Sequence, residues 1–143
     1  MLTVVAALIE DQGKWLVCQR RKWDTFGGKW EFPGGKVKND ESLEGALARE
    51  LREELGTSAE IGVEVHRARH RYSQMKEELE LVFFLARVDA GAIQNRAFET
   101  MEWREAKALP ELDFLPADRE LIEQLAAGRL RVESAENAPK KSR

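Results

Sequence analysis

The sequence predicts an α/β fold in which a mixed curved sheet lies between helices. Three observations support this prediction. Apolar runs bounded by turn residues indicate strands in both halves of the chain, a leucine repeat every fourth residue indicates one amphipathic helix, and a late proline is placed to open a second helix. The resulting order of elements, β-β-α-β-β-β-α, is typical of a sheet covered by helices.

Two strands and a loop come first. Residues 3–10 are apolar and β-branched, residues 11–13 carry a turn signal, and residues 14–19 are again apolar, so residues 3–19 are predicted to form a hairpin. A basic cluster follows at residues 20–22. Residues 23–35 are predicted to be a loop because two groups of glycine and proline residues interrupt them.

The first helix is predicted to begin near Asp40. Asn39 or Asp40 is expected to cap it, and acidic residues in its first turn suit the helix dipole. Its buried face is expected to be the leucine repeat at Leu43, Leu47, Leu51 and Leu55. Gly56 follows where a glycine stop is expected, so the helix is predicted to end there.

The later elements are three strands and a second helix. The strands are predicted at residues 61–71, 79–88 and 100–104. Pro116 is expected to open the last helix and Gly128 to stop it. Residues 1–130 are therefore predicted to form one domain, and residues 131–143 a disordered polar tail.

The composition limits the classes of function that this chain could have. The 143 residues suit one domain, and the 43% hydrophobic content is enough for a core. A net charge of -3 argues against binding to a nucleic acid polymer. The single cysteine, Cys18, excludes an internal disulfide and a cysteine zinc site. The first nine residues lack a basic start and are too few to span a membrane, so a cytoplasmic location without a membrane partner is expected.

Three glutamates on the first predicted helix suggest the chemistry. Glu50, Glu53 and Glu54 stand at positions i, i+3 and i+4, so they share one helix face. Like charges crowded there repel one another, and a divalent cation would reverse that repulsion. Magnesium prefers hard oxygen ligands and commonly joins carboxylates to phosphates. An acidic helix face exposed to solvent is the alternative interpretation.

A longer pattern around these glutamates favours the metal interpretation. It consists of seven residues at fixed offsets: Gly35, Glu41, Arg49, Glu50, Glu53, Glu54 and Gly56. At average residue usage, such a set has a chance of about 10⁻⁸ per start position, and the glutamate richness of the chain raises this by about a hundredfold. Chance is therefore a poor explanation of the pattern.

The pattern resembles the Nudix box, G-x5-E-x7-R-E-U-x-E-E-x-G-U, in which U is a bulky aliphatic residue. Every fixed polar and glycine position matches, Leu51 matches the first aliphatic position, and Thr57 departs from the last. The preceding run Trp-Glu-Phe-Pro-Gly-Gly-Lys, residues 30–36, resembles the MutT branch of that family. The resemblance extends over residues 1–128, with its specific part at residues 30–57.

The resemblance implies a Nudix-type α/β/α sandwich and a hydrolase that uses magnesium, with manganese as the alternative. Carried over by position, the metal ligands would be Glu50, Glu53 and Glu54, with a backbone contribution from Gly34. Glu53 would also orient or deprotonate the attacking water. Arg49 and Glu41 would support the cluster.

MutT-like proteins often add one more glutamate from a loop before the last strand. Glu99 is the nearest candidate here and Glu102 the second. The spacing does not align cleanly with the family, and a surface glutamate is the alternative interpretation of Glu99.

Substrate contacts are also predicted by position. Phe32 stands where the family places an aromatic ring against the base, with a core phenylalanine as the alternative. Asp118 stands where the base edge is read, with a first-turn aspartate favoured by the helix dipole as the alternative. Arg20 and Arg21 are expected to hold phosphate, or else to lie at an exposed strand end. The backbone of Gly34 and Gly35 is expected to pass close to the phosphates.

Three functions are weighed. The first is a nucleoside triphosphate pyrophosphohydrolase that releases a monophosphate and pyrophosphate, acting on 8-oxo-dGTP in nucleotide-pool sanitation or on CTP or dCTP. The second is a Nudix hydrolase of ADP-ribose or a nucleotide sugar. The third is a nucleotide-binding sensor without catalysis, which the complete set of carboxylates disfavours. The expected partner is a small nucleotide, and the expected oligomeric state is a monomer or a weak homodimer.

Overall fold

The computed structural model describes residues 1–73 and 76–129, and the predicted tail at residues 131–143 lies outside the described residues. Seven strands are found there: β1 Leu2–Asp11, β2 Lys14–Gln19, β3 Trp30–Glu31, β4 Gly34–Lys36, β5 Glu60–His70, β6 Leu79–Arg87 and β7 Thr100–Arg104. The α-helices are α1 Leu43–Leu55 and α2 Arg119–Ala126. Short 3₁₀ turns lie at Ala90–Ala92, Ala106–Glu111 and Pro116–Asp118. In the described ranges, no helix has the length and apolarity needed to cross a membrane.

β1 organises the sheet. It runs parallel to β6 over its length, whereas it pairs with β2 only near the turn, at Glu10 and Asp11. Beyond that turn the two hairpin strands take different partners, because β1 pairs with β4 and β2 pairs with β3 and β7. The main strand order is β3-β2-β1-β6-β5, with both parallel and antiparallel pairs. The predicted mixed sheet is confirmed.

Two cores lie on opposite faces of this sheet. Alternate residues of β1 point to opposite faces, so Val5 and Ala7 pack with the buried face of α1 while Ala6 and Leu8 pack in the core that contains α2. Buried residues of α1 are Ala46, Leu47, Leu51 and Leu55. The helices therefore cover both faces, and the predicted α/β/α sandwich is confirmed.

The segment predicted as a loop at residues 23–35 contains two short strands. β3 and β4 are two and three residues long, too short to show a period in the sequence. β4 begins with two glycines and pairs closely with β1, where a Cβ on Gly34 would lie 1.9 Å from the carbonyl oxygen of Val5. Glycine is required there by the close approach of the two backbones.

Helix α1 begins later than the predicted cap. Ser42 is the N-cap, and its hydroxyl accepts a hydrogen bond from the Gly45 N–H at 2.9 Å. Asp40 has a left-handed backbone with φ 71°, so it belongs to the turn before the helix. The predicted stop is confirmed, because Gly56 is left-handed and its N–H donates to the Arg52 carbonyl at 3.0 Å.

Replacing Ser42 by alanine is expected to lower the free energy of unfolding by about 1 kcal/mol, because a first-turn N–H loses its partner. Urea unfolding followed by circular dichroism would measure the change. The matched control is Asn39→Ala, at the exposed residue that the sequence predicted as a cap. Equal effects of the two substitutions would contradict the assignment of Ser42 as the cap.

Candidate active site

The glycines of β4 lie directly against α1. The Gly34 N–H donates a hydrogen bond to Glu54 Oε1 at 3.0 Å. A Cβ on Gly35 would lie 2.3 Å from the carboxyl carbon of Glu50, so a side chain at residue 35 would displace that carboxylate. Two of the three predicted metal ligands therefore pack on a strand that has no side chains at the contact.

Arg49 connects the acidic residues. Its Nε and Nη2 donate to the two carboxylate oxygens of Glu41 at 2.6 and 2.9 Å, and its Nη1 donates to Glu50 at 2.8 Å. The same Nη1 lies 3.4 Å from Glu53 Oε1. The supporting roles predicted for Arg49 and Glu41 match these contacts. Glu41 reaches Arg49 although eight residues separate them, because Glu41 lies before the helix and not on it.

The Glu41 carboxylate is held in its ionised form. The hydrogen bonds from Arg49 and then from the Lys38 N–H lower the pKa of Glu41 to about 2. The same contacts with Glu41 and Glu50 raise the pKa of the Arg49 guanidinium. This part of the site is therefore a fixed ion-pair network at neutral pH.

Glu54 is in the opposite situation. Burial is the main cause that raises the pKa of Glu54 to about 9, and the charges of Glu31 and Glu50 add to it. The hydrogen bond from Gly34 opposes this increase only in part. At neutral pH the Glu54 carboxyl is therefore favoured in its protonated form, and a bound cation would displace that proton.

The donor set fits a hard divalent cation, because Glu50, Glu53 and Glu54 offer only carboxylate oxygens. They do not yet form an assembled cluster. In residues 1–73 and 76–129, no three acidic, histidine or cysteine side chains are gathered closely enough to hold an ion. Glu50 and Glu53 face Arg49, and the Glu53 side chain is 56% exposed. The ligand assignment stays a prediction.

A cavity of about 410 Å³ opens on the other side of the glycine strand. That volume suits a small-molecule site. Its walls come from β1, β3, β4 and β6, from the segments between β2 and β3 and after β5, and from the turn before α2. Residues of functional interest in the lining are Arg20, Phe26, Glu31, Phe32, Tyr72 and Asp118, together with Gly34 and Gly35.

Asp118 belongs to the lining of this cavity. It is 3% exposed and is the one fully buried charged residue within the described ranges. Asp118 occupies the N-cap position of α2 without a side-chain capping hydrogen bond, so an aspartate favoured by the helix dipole stays the alternative to a base-reading residue. Burial, and then the charge of Glu31, raises the pKa of the Asp118 carboxyl. A buried carboxyl without a capping hydrogen bond is well suited to bind a ligand.

The two arginines that were predicted to bind phosphate lie in different surroundings. Arg20 lines the cavity, where its Nη1 donates to both oxygens of Glu31 at 3.0 Å and its Nε donates to the Thr25 carbonyl at 2.7 Å. Arg21 lies outside the lining, with its guanidinium over the exposed ring of Trp23 at 5.5 Å. Only Arg20 is brought to the cavity.

Phe32 has the core position that was one of its two predicted interpretations, whereas stacking against a base stays a prediction. It is 3% exposed and packs against Phe83 and Phe114, with ring centroids 6.1 and 5.6 Å apart, so it is a core residue. It also lines the cavity. Its ring therefore forms part of the apolar wall of the cavity as well as of the core.

The predicted extra metal ligand is not brought to the cavity. Glu99 is exposed before β7, where its N–H donates to the Gln19 carbonyl at 2.9 Å. The second candidate, Glu102, pairs with Arg104 on β7 at 2.7 Å. Neither glutamate belongs to the lining of the cavity.

Three of the lining residues of functional interest, Glu31, Phe26 and Tyr72, were not predicted from the sequence. Glu31 belongs to the Trp-Glu-Phe-Pro-Gly-Gly-Lys run, so its position in that motif was the available signal. Phe26 and Tyr72 had no signal, because they lie in loop segments far apart in the chain and pack together only in the fold, with ring centroids 4.7 Å apart.

A helix that offers carboxylates beside a glycine strand, next to a cavity of nucleotide size, is the architecture expected of a hydrolase acting on phosphate compounds. The model of the NUDIX domain matches residues 1–125. The chain therefore belongs to the Nudix hydrolase family.

The chain is similar to named members of this family over most of its length. It is 38% identical over 129 residues to a CTP pyrophosphohydrolase of Escherichia coli K12, covering 90% of this chain and 94% of that protein. It is 32% identical over 126 residues to an 8-oxo-dGTP diphosphatase of Haemophilus influenzae, covering 87% and 91%. The solution structure of the E. coli ORF135 protein superposes with a TM-score of 0.76 at 36% identity, covering 90% and 91%.

The substitution Asp118→Asn is expected to stabilise the protein at neutral and alkaline pH. The ordinary pKa of an aspartate carboxyl is 3.8, and burial raises the pKa of Asp118 above this value in the folded state. Above the ordinary pKa, the Asp118 carboxyl ionises in the unfolded chain while it stays protonated in the folded protein. Ionisation therefore favours the unfolded chain, and the wild type loses stability with increasing pH until its folded pKa is reached. The asparagine of the variant does not ionise, so the variant keeps its stability. Below the ordinary value both proteins carry a neutral group, and the difference should be at its minimum.

Urea unfolding of both proteins between pH 3.5 and pH 8 would measure this difference. The gap between their free energies of unfolding should widen as the pH increases. A gap that stays constant across this range would show that burial does not oppose ionisation of Asp118.

Proposed function

We propose that this protein is a magnesium-dependent nucleoside triphosphate pyrophosphohydrolase, releasing a nucleoside monophosphate and pyrophosphate. One observation carries the proposal. The Gly34–Gly35 strand contacts the Glu50 and Glu54 carboxylates and also lines the cavity to whose wall Asp118 belongs. A nucleotide with its base towards Asp118 would have its phosphates near these carboxylates.

The proposal also includes the class of substrate. One relative is named for CTP and another for 8-oxo-dGTP, and both are nucleoside triphosphates. We therefore place the substrate in that class, with nucleotide-pool sanitation and (d)CTP hydrolysis as the two roles. The small nucleotide is the proposed partner, and a monomer or weak homodimer is the proposed state.

The proposal gives a role to the predicted residues that lie at the carboxylate cluster or the cavity, which leaves out Arg21 and Glu99. Glu50, Glu53 and Glu54 would hold the magnesium ion, with manganese as the substitute and the Gly34 backbone adjacent. The ion supplies neutralisation of phosphate charge and Lewis acidity when bound. The exposed Glu53 side chain is available to orient and deprotonate a water that attacks the β-phosphorus. Arg49 fixes the carboxylates by its contacts with Glu50 and with the residue before the helix.

Arg20 would provide positive charge near the phosphates. Its Nε and Nη1 are held by protein acceptors, which fixes the direction of the guanidinium. Asp118 reads the base edge, and Phe32 provides an apolar surface beside it. The Gly34 and Gly35 backbone allows close approach of the phosphates, because no side chain intervenes.

A nucleotide panel with product analysis tests this function. We expect pyrophosphate release, without orthophosphate, from at least one of 8-oxo-dGTP, dGTP, CTP, dCTP and methyl-dCTP, with ADP-ribose hydrolysed far more slowly. Excess EDTA should abolish turnover. Hydrolysis of ADP-ribose alone would favour a different branch of the family, and binding without turnover would favour a sensor.

The variant Glu53→Gln separates catalysis from folding. It should retain the fold and lower kcat by about 100-fold or more, because an amide is a poor base and a weaker ligand. The matched control is Glu123→Gln, an exposed glutamate on α2, which should leave kcat unchanged. If both variants have wild-type turnover, Glu53 does not have the proposed role.

A further inference from the structure

Tyr72 is fixed at the edge of the nucleotide cavity. It lies two residues after β5, it is 7% exposed, and it is the single tyrosine of the chain. Its ring packs against those of His70 and Phe26, with centroids 4.3 and 4.7 Å away. Two aromatic neighbours restrict the rotation of the side chain, so the direction of its hydroxyl is set by packing.

The Tyr72 hydroxyl connects the end of β5 with the turn that carries Asp118. Its oxygen accepts a hydrogen bond from the Ala117 N–H at 3.1 Å, between residues 45 positions apart. Ala117 belongs to the 3₁₀ turn Pro116–Asp118, and N–H groups at the start of a helix have no partner within the helix. Tyr72 therefore supplies a partner for one of these groups and places its own hydroxyl beside Asp118.

The hydroxyl retains the capacity to donate. A phenol has one O–H donor besides its lone pairs, and the bond from Ala117 uses a lone pair. Among the hydrogen bonds of residues 1–73 and 76–129, Ala117 is the one recorded partner of this hydroxyl. Both Tyr72 and Asp118 line the cavity. Burial raises the pKa of Tyr72, and the nearby charge of Asp118 also raises it, so the phenol stays protonated.

We propose that Tyr72 is a specificity-determining residue, whose hydroxyl donates a hydrogen bond to the nucleobase while Asp118 accepts one from it. The cavity wall then has a donor beside an acceptor. Cytosine offers the complementary pair, a ring-nitrogen acceptor beside an amino donor, whereas uracil has the donor and acceptor in the reverse order. The structure thus favours a cytosine nucleotide, an inference that rests on the proposed hydrolase function.

The substitution Tyr72→Phe tests this inference through kinetics with CTP and UTP. The wild type is expected to have a KM at least tenfold lower for CTP than for UTP. In the variant, the KM for CTP should rise about tenfold towards that for UTP, with kcat changed less than twofold, because the hydroxyl is distant from the phosphates. The control Thr100→Val removes a hydroxyl on β7, outside the cavity lining, and should keep the wild-type ratio.

A role confined to holding Ala117 would change the KM values of both nucleotides equally. A third nucleotide, 3-deaza-CTP, keeps the amino group and lacks the ring acceptor, so its KM should be unaffected by Tyr72→Phe. An equal increase for CTP and 3-deaza-CTP would overturn the proposed contact with the base, and so would a wild type that does not prefer CTP over UTP.

A second measurement does not require turnover. Because the chain has one tyrosine, labelling with [¹³Cζ]tyrosine gives one resonance that reports on the hydroxyl-bearing carbon. CMP added without metal should shift this resonance at saturation, and UMP should shift it much less. No shift with CMP at saturation would contradict the inference. A wild type that hydrolyses no nucleotide would refute the proposed hydrolase function instead.

Discussion

The close packing of β4 between β1 and α1 is the constraint on which the site depends. Side chains at Gly34 and Gly35 would collide with the Val5 carbonyl oxygen and with the Glu50 carboxylate respectively. Because both side chains are absent, the strand pairs with β1 on one edge and receives the carboxylates of α1 on its surface. The carboxylates of α1 and the cavity therefore both lie against the backbone of β4.

This arrangement buries carboxyl groups where little solvent reaches. Burial first, and the charges of neighbouring glutamates second, raise the pKa of Glu54 and Asp118. Arg49 and Arg20 form ion pairs with the neighbouring carboxylates of Glu41, Glu50 and Glu31. Stability lost by burying carboxyl groups is a common consequence of a binding site, and here a cation and a nucleotide would recover part of it.

The sequence predicted the elements that have a clear period or a fixed motif. The strands at 14–19 and 100–104, the leucine face of α1 and the stop at Gly56 were confirmed because each depends on local pattern. β3 and β4 were missed because strands of two and three residues have no period, and glycine has no side chain to alternate. The cap was predicted two or three residues early because Asn39, Asp40 and Ser42 are all capping residue types.

The residues of the site also divide into those that a sequence motif predicts and those that have no local signal. The motif predicted that Arg49 and Glu41 support the carboxylates, but not that they pair directly, because eight residues separate them in the sequence. Asp118 was predicted by its family position to read the base, and it lies in the lining of the cavity, whereas nothing local distinguished Arg20 from Arg21. Tyr72 could not be predicted, because its contact with Ala117 spans 45 positions and exists only after β5 and the turn before α2 come together.

The central claim is that the carboxylates of α1 hold a divalent ion against the glycine strand. Paramagnetic broadening by substoichiometric Mn²⁺ in an amide NMR spectrum tests it most directly. The account predicts that the resonances of Gly34, Gly35 and the last two turns of α1 broaden first, and that excess Mg²⁺ restores them. Broadening centred on another surface, or spread evenly over the molecule, would contradict it.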